Sequence, residues 1–123
     1  MNELVKILLL AVAFLILDLP WLIIQGPWVQ DIILNIQDGR SMSPRLWGGI
    51  PVYLALGYLV TQVHSAPRAF LAGVCTYAVY DFTQIVTFDK YPVAFAVADS
   101  LWGGVLMALT WWIGSKVGLT MSD

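Results

Sequence analysis

The chain has 123 residues, of which 59% are apolar, 13% aromatic and only 11% charged, whereas a soluble domain of this length would carry nearer a quarter of charged residues and has too little interior to hide so much apolar surface. A formal charge of −2, one cysteine and a mean hydropathy of +0.78 exclude a disordered chain, a disulfide scaffold and a basic nucleic-acid binder. The lipid bilayer is therefore the expected solvent, and no nucleic-acid partner is expected.

A bilayer core of about 30 Å takes roughly 20 helical residues to cross, and four segments meet or approach that length. The first is residues 4–25, in which Lys6 precedes an apolar run. The start resembles a signal peptide, but Asp18, Pro20 and Trp21 follow instead of a small-x-small cleavage site, so a retained helix is expected. Pro20 should free the Ile16 carbonyl, and Gly26-Pro27 should end the helix. In the connection 26–43, Trp28, Ile32, Ile33 and Ile36 fall on one helical face, opposite Gln30, Asp31, Asn35 and Asp38. That pattern predicts a short helix in the headgroup plane, followed by a turn at Asp38-Gly39-Arg40-Ser41.

The second span is expected at 46–63, before His64-Ser65. There Pro51 either interrupts an early-starting helix or sits in the first turn of a late one. The third span, 67–88, has Pro67 at its first position. Asp89-Lys90-Tyr91-Pro92 makes a turn, and the fourth span covers 92–114. The architecture predicted is all-α: one transmembrane domain over residues 1–123, a four-helix bundle with a short interfacial helix in its first long loop. Small residues such as Gly73, Gly103 and Gly104 suit close helix packing. Trp28, Trp47, Trp111 and Trp112 suit interfacial belts.

Four crossings put both termini on one face, with Lys6, Arg68 and Lys116; Arg40, Arg45 and Lys90 lie on the other. This balance fixes no orientation by the positive-inside rule. The reading adopted is an inner (cell) membrane protein with cytoplasmic termini, and a homo-oligomer or a larger membrane complex stays open.

Depth arithmetic singles out three acids. Asp18 lies seven residues before Gln25, Asp81 seven before Phe88, and Asp99 seven after Pro92. At about 1.5 Å per residue, all three carboxyls should sit roughly 10 Å below one membrane face, with Tyr53 of the second helix level with them. An ionisable group at that depth costs about 3 kcal/mol and is rarely left facing lipid. The three should point into the bundle, and no Lys, Arg or His is expected beside them. Three unpaired anions would repel, so the cluster is expected to share protons. Residues one turn away describe a pocket: Trp21 and Gln25 near Asp18, Tyr77 and Gln84 near Asp81, Trp102 near Asp99. Asp18-x-x-Trp21, Asp81-x-x-Gln84 and Asp99-x-x-Trp102 repeat one form. Such acidic, aromatic and amide lining suits a cationic or polar-headed hydrophobic molecule. The plainer reading is that interhelical hydrogen bonds from these side chains join the helices. No phosphate loop, metal-ligand cluster or nucleophile triad occurs, so no cofactor or metal is expected.

Asp18-x-x-Trp21-Leu22, Tyr77-x-x-Tyr80-Asp81-x-Thr83-Gln84-x-x-Thr87, and Pro92 followed by Asp99-x-x-Trp102-Gly103 resemble a bacterial family of predicted four-helix membrane proteins catalogued as domain of unknown function 2177. Gln84 stands where that pattern leads one to expect Asn. The resemblance implies an integral membrane protein carrying these polar motifs and implies no activity. Three functions compete on the residues alone. The favoured one is a small binding or carrier protein with a proton-sharing carboxyl cluster. The others are a membrane enzyme using paired aspartates, with Asp18, Asp81 and Asp99 as candidate catalytic groups on a lipid or isoprenoid substrate, and a non-catalytic subunit of a larger complex.

Overall fold

The computed structural model describes residues 2–37, 46–88 and 90–121. Its first helix, α1, runs from Glu3 to Ile36 without a break. Asn2 starts it, with Oδ1 accepting from the Leu4 N–H at 2.7 Å, a side-chain cap that satisfies one of the open donors of the first turn. The helix continues through Pro20 and through Gly26-Pro27, where the sequence predicted a stop. The segment expected as a separate interfacial helix is thus the last part of α1. Of the apolar face the pattern predicted, Ile32 is buried, Ile33 and Ile36 are half-buried and Trp28 is exposed, while Gln30, Asp31 and Asn35 opposite are exposed. Local propensity is overridden by contacts from elsewhere in the chain. Trp28 meets Phe95 edge to face at 5.0 Å, and Lys90 Nζ donates to the Asn35 carbonyl at 3.1 Å, placing a cation at the negative end of the helix. The turn predicted at Asp38–Ser41 lies outside the described residues, as does Asp89.

A 3-10 turn, Leu46–Gly48, leads into α2, Gly49–Val60. Pro51 falls in the first turn of α2, where its missing N–H breaks no helical hydrogen bond. The helix ends at Val60 rather than Val63, because Thr61 and Gln62 turn back onto Tyr58 and Leu59. At 12 residues it is roughly 18 Å long, well short of a bilayer core. Ser65 caps α3, Ala66–Thr87, and Pro92 precedes α4, Val93–Lys116. Among the described helices, α1, α3 and α4 are long and apolar enough to cross a membrane. Hydroxyls at Thr76, Thr83, Thr87 and Thr110 each donate to the carbonyl one turn back, so they present no unsatisfied polar group to lipid.

The helices form two tight hairpins, α1 with α2 and α3 with α4, joined chiefly where α4 rests on α1 and more lightly on α2. α3 does not pack extensively against either α1 or α2. Glycine sets both tight contacts. A Cβ on Gly57 would lie 2.7 Å from the Ile7 carbonyl oxygen; one on Gly73 would lie 2.8 Å from Gly104 Cα. Both are backbone obstacles that cannot rotate away. Leu10, Phe14, Leu56, Val60, Leu106 and Met107 fill the core between the hairpins.

Trp111 departs from the interfacial reading. It is buried, and its ring N–H is shared between the carbonyls of Val63, at 3.1 Å, and Met121, at 2.8 Å. It thereby ties the end of α2 to the tail after α4. That tail folds back at Gly118, whose φ of +79° favours a residue without a Cβ. Trp47 and Trp112 are exposed, Trp112 with Lys116 Nζ 5.6 Å from its ring.

Candidate functional site

Asp18, on α1, is 4% exposed, and Asp81, on α3, is 1% exposed; Asp99, on α4, is partly buried. Each is reached by donors from other elements. Tyr53 of α2 donates its hydroxyl to Asp18 Oδ2 at 2.6 Å, and Trp102 of α4 donates its ring N–H to Asp18 Oδ1 at 2.7 Å. In the opposite direction Trp21 of α1 donates to Asp99 Oδ1 at 2.8 Å. The two Asp-x-x-Trp motifs therefore exchange partners: each tryptophan serves the aspartate of the other helix, not its own. Stepping three residues forward on α1, from Asp18 to Trp21, matches three back on α4, from Trp102 to Asp99, as antiparallel helices in register require. The two indole rings stack at 6.0 Å between these bridges.

Asp81 sits behind this layer. It accepts from the Tyr91 hydroxyl at 3.0 Å and lies 3.5 Å from the hydroxyl of Ser100, the residue after Asp99 on α4. Tyr91 lies in the link between α3 and α4, where burial foremost, then the nearby Asp81 charge, raise its phenol above the ordinary tyrosine value. Asp18 and Asp99 are thus linked through the two tryptophans and Asp81 meets α4 at Ser100, although α1 runs past Gln25, the point from which the depth of Asp18 is counted. Among the described residues no group of three His, Cys, Asp or Glu side chains is arranged to hold a metal ion.

A cavity of about 340 Å³ opens beside the cluster, at the lower end of the size range of small-molecule sites. Six of the nine residues expected at a ligand site line it: Asp18, Trp21, Gln25, Tyr53, Tyr77 and Asp99. Asp81, Gln84 and Trp102 do not. Asp81 faces the α3–α4 contact, and Trp102 acts through its bond to Asp18. Sequence reasoning missed the apolar part of the wall, notably Val52, Ala55, Leu59 and Tyr80, all exposed on the outer side. It also missed Tyr91 and Ser100 as partners of Asp81. Ser100 follows Asp99 directly in sequence, and a helix that packs closely on α3 can direct both towards it; that contact was the available signal. Gly103 shapes the wall as well, since a Cβ there would lie 2.8 Å from Tyr77 Cβ and strike its ring.

Residues 3–116 match a family described as predicted membrane proteins, domain of unknown function 2177. The chain belongs to this family. The match spans every helix of the fold and all three aspartates, so the carboxyl cluster lies wholly inside the family's common region. No curated protein and no solved structure matches the chain.

Proposed function

We propose that this membrane protein binds, or carries across the bilayer, a hydrophobic or cationic small molecule held in the cavity beside Asp18 and Asp99, and that the carboxyl cluster shares protons as the site fills and empties. The observation that carries this reading is the place of Asp99, which lines the cavity while the next residue, Ser100, lies 3.5 Å from Asp81. Acids grouped together without a base favour sharing of protons, and Asp81 is joined to Tyr91 in the α3–α4 link. Occupancy beside Asp99 would then be felt at Asp81, which lies between α3 and α4. Binding is favoured over catalysis because both cavity carboxyls already accept from indole or phenol donors, an arrangement that fixes a wall more readily than it frees a general acid or base. Trp21 and Trp102 report on the site directly. In reconstituted protein their fluorescence should change with pH, and Asp81→Asn should displace or abolish that change. An Asp81→Asn titration identical to wild type would remove the basis of the proposal.

A further inference from the structure

The cavity wall differs sharply from one side to the other, and this difference selects a ligand class. Resting on the binding reading above, we infer that the occupant is a lipophilic amine, entering from the bilayer between α2 and α3 and presenting an ammonium head to Asp18, Asp99 and Gln25. The inner wall holds two carboxyls and, among the described residues, no Lys, Arg or His. Three donors on its lining are engaged: Tyr53 with Asp18, Trp21 with Asp99, and the Thr76 hydroxyl with the Ala72 carbonyl. Gln25 lines the cavity too, and its Oε1 is buried with no hydrogen-bond partner among the described residues. An unmet buried acceptor is costly, and a donor arriving in the adjacent space would relieve it. An anionic head would instead face two carboxyls with no cation to offset them. The aromatic faces of Trp21, Tyr53 and Tyr77 add attraction for a cation.

The outer wall is apolar. Val52, Ala55 and Leu59 of α2 and Tyr80 of α3 form it and are exposed, and these two helices do not pack extensively on each other. The opening therefore faces the side of the helices, midway along α3, where a hydrocarbon tail would meet acyl chains. At about 340 Å³ the cavity takes on the order of ten heavy atoms, enough for an amine head and the first carbons of its tail, with the remainder passing through the gap.

The test uses the full chain in nanodiscs of zwitterionic lipid and a matched set of alkyl probes brominated near the head: a primary amine, an alcohol, a carboxylic acid and a quaternary ammonium. Bromine quenches nearby indoles. The primary amine should give a saturable loss of fluorescence no larger than the share of Trp21 and Trp102 among the six tryptophans, reversed by the unbrominated amine. Its half-saturation should be at least about tenfold below that of the acid or the quaternary ammonium, a factor corresponding to about 1.4 kcal/mol. Ala55→Leu, at the gap, should weaken the amine, and Asp99→Asn should reduce its preference over the alcohol. Equal or tighter binding of the acid would overturn the head-group assignment while leaving a binding site standing. Saturable quenching by none of the four probes would overturn the binding reading itself.

Discussion

Replacing Gly73 by alanine should separate α3 from α4 and disturb the carboxyl cluster two turns away. The added Cβ would lie 2.8 Å from both Gly103 C and Gly104 Cα, and closer still to the Gly103 carbonyl oxygen. Ordinary contact between carbons is about 3.5–4.0 Å, so the helices must part by roughly 1 Å. All three obstacles are backbone atoms, and no rotamer change can absorb the strain. Overpacking of this kind costs about 1–3 kcal/mol. The Ser100–Asp81 contact, already 3.5 Å, should be lost as the helices separate. Gly49→Ala is the internal control: it lies at the start of α2, its added Cβ meets only the Tyr53 ring at an ordinary 3.9 Å, and it should change stability by no more than about 0.5 kcal/mol. Reversible unfolding in mixed micelles, followed by helicity, compares the two variants with wild type. A Gly73→Ala protein as stable as Gly49→Ala would refute the close helix contact and the placement of Asp81 that depends on it.

Trp21→Phe and Trp102→Phe each remove one bridge and should each cost about 0.6–1.7 kcal/mol, the range of interhelical hydrogen bonds in membranes. Because the rings stack on each other, the double variant should be non-additive, and strict additivity in the same unfolding assay would count against the exchanged pairing. Trp111→Phe leaves the carbonyls of Val63 and Met121 without their shared donor and should cost about 1–3 kcal/mol, with faster proteolysis of the C-terminal tail as its readout. Tyr91 supplies a pH signature. Its folded-state value lies above the ordinary one, so the folded protein retains a proton that the unfolded chain loses near about pH 10. The stabilisation is complete below that pH and is lost as pH rises beyond it. Tyr91→Phe should flatten the alkaline fall in stability, measured between about pH 9 and pH 11.

Sequence alone determined most of what runs along the axes of α3 and α4. Apolar runs interrupted by turn residues located α3 and α4 closely, because in lipid every backbone group must be satisfied within its own segment. A fixed rise per residue places Asp81 and Asp99 equally far from the α3–α4 link, whereas Asp18 is counted from Gln25, which is not the end of α1. What only the tertiary structure decided lies across the axis. Whether Trp21 serves its own helix's aspartate or the one on α4 depends on how two helices are rotated towards each other, which spacing within one helix does not record. The apolar outer wall of Val52, Ala55, Leu59 and Tyr80 exists only because α2 and α3 stand apart. The length of α1 was likewise decided from outside: Gly26-Pro27 is a local stop signal, yet Phe95 and Lys90 hold the chain helical beyond it, since contacts with distant residues outweigh the loss of one helical hydrogen bond.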